Sequence, residues 1–269
     1  MPRRWPRRCS PWRLQRRRRR ATTVPDEATA PATTVPDEAN APTETAESTD
    51  AESAGTDAGA DAATGADPAA MPVRFTTPDG QELAGTMYGD GPTGVVLAHM
   101  RGRDQGTWSD FAADAAAAGH RVLTFDFRGY GQSTGARDTE LTTDLRAAIA
   151  LMAGEDINRI VVIGASMGGT AAVNVAADAE LAGVVTLSAP ANFMGLEAAG
   201  VAVDVGEPLL AIAAEDDAPY ADDARAITDA ALTPILQILP GASHGTNLFA
   251  DHDEVLTDLL LEFIAARSA

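Results

Sequence analysis

The sequence contains no lysine: all twenty basic residues are arginine, and ten of them fall in the first twenty positions. From residue 71 onward 10 Arg stand against 28 Asp plus Glu, a net of −18. A domain that acidic repels phosphate backbones and anionic membranes, which argues against a nucleic-acid partner. There is one cysteine, Cys9, and it lies outside the segment that reads as folded. That excludes an intramolecular disulfide, a thiolate zinc cluster and a cysteine nucleophile from the fold. No apolar run is long enough to span a membrane. The acidic residues lack a histidine at ligand spacing, so no metal is implied, and no cofactor is expected.

What is present divides near residue 70. Residues 1–20 are basic but lack the apolar stretch of a secretory signal. Residues 21–42 hold a near-duplication, ATTVPDEATAP followed by ATTVPDEANAP, and the run on to Ala70 is Ala, Thr, Asp, Glu, Gly and Pro. So little apolar surface cannot offset the entropy of ordering, and residues 1–70 are expected to be a disordered, non-catalytic extension. An acidic Thr/Pro stalk points to the cell envelope, and the missing signal points to the cytoplasm; location stays open. Met71 would also serve as a start.

Residues 71–269 read as one α/β domain. VRFTTPDGQELAGTMY is a β-hairpin around Pro-Asp-Gly. Apolar runs at GVVLAHM, RVLTFDF, RIVVIGAS, LAGVVTLSAP, PLLAIAAE and PILQILP then alternate with amphipathic stretches. Strands buried on both faces, each followed by a helix, specify a parallel sheet, here mixed and of about eight strands because of the hairpin.

The third parallel strand runs into Gly164-Ala165-Ser166-Met167-Gly168-Gly169-Thr170. A phosphate loop would need a lysine that the chain does not possess. G-x-S-x-G between strand and helix is met in full, with Ser166 at the tip of a tight turn that small neighbours permit. Serine needs a base held by an acid, in the order Ser, Asp or Glu, His, each beyond a strand end. Of four histidines, His120 precedes a strand, His252 opens the last helix and His99 precedes the serine. His244, in LPGASHGTN after the last strand, is the candidate base. The acid falls among Glu215, Asp216 and Asp217, with Asp217 favoured and Asp216 second.

GASMGG, PLLAIAAEDD, LPGASHG, LAHMRG and FDFRGYGQS together resemble the α/β-hydrolase superfamily, especially its small lidless serine hydrolases of dienelactone-hydrolase-like and esterase type. The resemblance implies Ser166 as nucleophile, His244 as general base and Asp217 as the orienting acid. It also implies that the backbone N–H of Met167 is one oxyanion donor. The second donor lies past His-Gly-x in that family. This chain has His99-Met100-Arg101-Gly102, which makes Arg101 the expected donor and Met100 the reserve. In FDFRGYGQS, Asp126, Arg128, Gly129, Gly131 and Ser133 read as structural. Dienelactone hydrolases typically use cysteine where Ser166 stands, which turns the expectation toward ordinary ester chemistry.

The expected activity is carboxylester hydrolysis on small esters. A peptidase, thioesterase or acyltransferase with the same triad is the alternative, and a catalytically silent binding module is the rival from another class. Only ANFMGLEAAGVAVDVGE separates two strands where lids enter this fold, enough for a loop or short helix and not a cap. Phe193, Met194 and Leu196 there are either pocket wall or core. Net charge favours neutral or cationic esters over anionic ones.

Overall fold

A computed structural model describes residues 70–154 and 157–268. The basic start and the repeated acidic segment lie outside the described residues. Strands β1 (Met71–Thr76) and β2 (Glu82–Tyr88) form the expected hairpin, paired antiparallel. They are followed by β3 (Gly94–Ala98), α1 (Ser109–Ala117), β4 (Arg121–Phe125), α2 (Leu141–Ala153), β5 (Ile160–Ala165), α3 (Met167–Ala176) and β6 (Gly183–Leu187). A two-residue hairpin, β7 (Asn192–Phe193) and β8 (Leu196–Glu197), leads into the single-turn α4 (Ala198–Val201). The chain continues through β9 (Leu209–Ala214), α5 (Tyr220–Ala230), β10 (Pro234–Leu239) and α6 (Leu248–Ala265).

Alternation along the strands builds the sandwich. In β3, Val96 and Ala98 point into one core while Val95 and Leu97 point into the other. In β9, Leu209, Ala211 and Ala213 face the first core, and Leu210, Ile212 and Ala214 face the second. Period-two side chains that are apolar on both faces require cover on both faces. Residues of α2, α3 and α5 supply it on one side, and α1 and α6 on the other. The eight strands run in the order β1-β2-β4-β3-β5-β6-β9-β10, parallel from β4 through β10.

That order places the site. After β4 the chain crosses back over β3 to lay down β5, so β3 and β5 are neighbours where the winding changes direction, with Ala98 in register with Gly164. Crevices at the carboxyl ends of such strands are where ligands bind in open α/β sheets. The segment carrying Phe193 and Leu196 packs against the first core and leaves Met194 at its tip 66% exposed. Of the three side chains left undecided by sequence, Phe193 and Leu196 thus pack half-buried against the core, and Met194 faces solvent.

FDFRGYGQS is a tie-down, as expected, but its two charges do not meet each other. Asp126 accepts from the backbone N–H of Gln105 and of Gln132, at 2.8 and 2.9 Å. Arg128 is held between Asp144 and Asp79, at 2.6 and 2.8 Å. The guanidinium in turn holds the Asp79 carboxyl down to about 2.

Candidate active site

Ser166 sits where β5 becomes α3, with φ 46° and ψ −115°. An L-residue adopts that conformation only where its surroundings over-determine it. Two contacts do so: Ser166 N–H donates to Leu187 O at 2.8 Å, and Ser166 O accepts from Thr170 N–H at 3.0 Å. The flanking glycines are required by close approach. A Cβ on Gly164 would lie 2.3 Å from Gly168 O, and one on Gly168 would lie 2.4 Å from Ala98 O. Neither position admits alanine without moving backbone. The G-x-S-x-G spacing is therefore a steric consequence of helix, elbow and β3 passing within contact distance.

Beyond β9 and β10 the chain exchanges two backbone hydrogen bonds, Glu215 N–H to Leu239 O and Asp216 N–H to Gly241 O, both at 2.8 Å. The exchange leaves Glu215 and Asp216 exposed and turns Asp217 inward, where it is 7% exposed. His244 Nδ1 lies 2.9 Å from Asp217 Oδ2. A carboxylate oxygen accepts, so Nδ1 carries the proton and Nε2 is left as an acceptor. The imidazole also packs against the Tyr220 ring, tilted at 47° with centroids 4.1 Å apart. Tyr220 was not singled out by sequence; the available signal was an aromatic residue three positions beyond Asp217, directly after Pro219.

The residue after the histidine carries its loop to the elbow. A Cβ on Gly245 would stand 3.6 Å from the Cβ of Ala165, the residue before Ser166. Thus the Asp217–His244 pair and Ser166 are on adjoining loops at one end of the sheet.

The loop after β3 is fixed by a buried histidine. Phe127 N–H donates to His99 Nε2 at 3.0 Å, so His99 Nδ1 is protonated and donates to Met100 O at 2.9 Å. Burial pushes His99 below its ordinary value and keeps it neutral. With Met100 O held, the trans peptide fixes the direction of the Arg101 N–H on the opposite side. Met100 itself is buried, and its sulfur accepts from the Thr246 hydroxyl at 3.6 Å. Met167 begins α3, where a backbone N–H has no intrahelical acceptor.

The other two histidines lie elsewhere. His120 is buried at the amino end of β4, and His252 is bonded through Nε2 to Pro240 O at 2.8 Å. No group of three or more His, Cys, Asp or Glu able to hold a metal is found among the described residues.

A serine at a strained strand–helix elbow, beside a His–Asp pair at the carboxyl edge of a mostly parallel sheet, defines an α/β fold of the hydrolase class. Residues 95–214, a little under half of the chain, match the alpha/beta hydrolase family. A curated relative, an uncharacterised protein of Mycobacterium tuberculosis strain H37Rv, is 28% identical over 229 residues, 73% of this chain and 80% of the relative. The esterase Pf2001 of Pyrococcus furiosus has a similar structure, with TM-score 0.64 and 19% identity over 74% of this chain and 90% of that one. A thermophilic esterase from Thermogutta terrifontis gives TM-score 0.64 and 17% identity, covering 74% of this chain and all of the other (100%).

Proposed function

We propose that the protein is a serine hydrolase that cleaves small carboxylic esters through an acyl-enzyme. The observation that carries the reading is the 2.9 Å contact between His244 Nδ1 and Asp217 Oδ2 on a loop that abuts the Ser166 elbow. Similarity to esterases supports the choice of substrate class.

In the proposed reaction Ser166 Oγ attacks the ester carbonyl while His244 Nε2 takes its proton. Asp217 holds the ring in the tautomer that leaves Nε2 free and stabilises the imidazolium that results. The backbone N–H groups of Met167 and Arg101 receive the developing oxyanion; the latter is aimed by the His99 bond to Met100 O. His244 then protonates the leaving alcohol, and water reverses the sequence to release the acid. His99 is a positioning residue here, with no contact to reacting atoms.

Hydrolysis of short-chain ethyl and 4-nitrophenyl esters tests the reading. Wild type should turn over, and Ser166→Ala or His244→Ala should lose at least about 10³-fold in kcat. An amide or thioester cleaved in preference would move the activity to the peptidase or thioesterase alternative. Wild-type turnover in Ser166→Ala would refute it.

A further inference from the structure

Beside Arg101 the local charge runs against that of the whole domain. A cleft of about 430 Å³ is bounded by Arg101, Gly102, Tyr130, Arg137 and Asp138. Its wall thus includes the residue whose backbone N–H is the proposed oxyanion donor. It holds two guanidinium groups against one carboxylate.

That carboxylate is already engaged at both oxygens. Arg101 Nε donates to Asp138 Oδ2 at 2.9 Å, and the Tyr130 hydroxyl donates to Oδ1 at 2.5 Å. Burial pushes the Tyr130 phenol up, so it remains a neutral donor. Arg137, by contrast, has no carboxylate partner among the described residues. Its Nε donates to Gly129 O at 2.7 Å, and its guanidinium lies over the Tyr130 ring, 5.0 Å from the centroid. The stem is seated by an absent side chain: a Cβ on Gly129 would lie 2.8 Å from Arg137 Cγ. The terminal amino groups of Arg137 make no hydrogen bond to a described residue. A cation held by its stem, its ring contact and its Nε has already lost much of the freedom that binding would cost it.

We propose that this cleft receives a carboxylate carried on the acyl half of the substrate, with Arg137 as its ligand. The proposal rests on the ester-hydrolase reading and on Arg101 as oxyanion donor. With the scissile carbonyl on the Arg101 N–H and the far carboxylate on the Arg137 guanidinium, the acyl chain has to bridge neighbouring loops. Half-esters of short dicarboxylic acids fit that requirement. A paired donor fork is the geometry that carboxylates prefer. The net negative charge of the domain then works as a long-range penalty that this cleft offsets locally, so neutral and anionic esters are told apart at Arg137.

The test compares monoethyl glutarate with ethyl valerate, equal in carbon number and differing in the terminal carboxylate, by acid release. In wild type at low salt, kcat/KM for the half-ester should equal or exceed that for the neutral ester. The ratio of the two should fall with rising ionic strength, because salt screens the Arg137–carboxylate attraction. Arg137→Ala and Arg137→Gln should each lower the ratio about fivefold or more. A wild-type ratio that rises with salt overturns the proposal, since it would report only repulsion by the acidic domain; this outcome needs no variant to fold. A ratio unaltered in folded Arg137 variants overturns it as well. If neither ester is cleaved and Ser166 is not labelled by an active-site probe, the ester-hydrolase reading itself fails and the proposal falls with it.

Discussion

Gly245 and Met100 are shaped to one another: a Cβ on Gly245 would lie 2.6 Å from the Met100 sulfur. The same sulfur accepts from Thr246. Methionine at this position therefore ties the loop of the proposed oxyanion donor to the loop of His244. A glycine, usual there in the resembling family, could not make that contact.

Gly245→Ala should disturb both loops at once. The glycine has φ 58°, so the substitution meets backbone strain as well as the sulfur. Ester kcat/KM is expected to fall about tenfold or more. Adding Met100→Ala should recover part of the loss and not all, because the backbone strain of about 1 kcal/mol remains. Full recovery would show that the clash alone matters.

Ser166→Gly should stabilise the fold while removing turnover. The serine holds φ 46° and ψ −115°, a conformation open to glycine without penalty. A gain of about 1 kcal/mol, or about 2–4 °C in Tm for a domain of this size, is expected by thermal melting. No gain would show that the elbow is not strained.

Tyr220 should matter to kcat. Its ring lies against His244, close enough to stabilise the imidazolium formed when Ser166 is deprotonated. Tyr220→Leu is expected to lower kcat about threefold to thirtyfold with little change in KM, and Tyr220→Phe to retain most of it. Equal losses in Phe and Leu would assign the effect to the hydroxyl instead.

Much of this was readable in the sequence, for physical reasons that differ by element. The hairpin, the doubly apolar strands and the small residues around Ser166 are local patterns with steric causes, so spacing alone located them. His244 followed from order along the sheet. The choice within Glu215, Asp216 and Asp217 leaned on position alone, since three like residues differ only in direction; the β9–β10 backbone exchange turns Asp217 inward. The Tyr220–His244 ring contact and the Met100–Gly245 contact join loops far apart in sequence, and no local pattern announces them. The cleft at Arg137 was hidden by the acidity of the domain as a whole, an average that erases a local sign.

Acid should weaken the fold before it reaches the carboxylates. Burial pushes both His99 and His120 below their ordinary 6.5. As pH falls through 6.5 the unfolded chain takes up protons that the folded chain refuses, so stability drops until the folded values are reached. Above 6.5 both states are neutral and the full stability is present. Melting from pH 8 to pH 5 should show the decline. His120→Phe should make it shallower, and should cost little at pH 8 because His120 Nδ1 is buried without a partner. An unchanged slope in that variant would place the whole effect on His99.

The central claim is that Ser166 is an activated nucleophile, and a fluorophosphonate probe read by intact-mass and peptide mapping tests it most directly. The expected result is one adduct, on the peptide carrying Ser166, absent in Ser166→Ala and much slower to form in His244→Ala. A folded wild-type protein that takes no label, or takes it at another residue, would contradict the account and favour a silent binding module on the same fold.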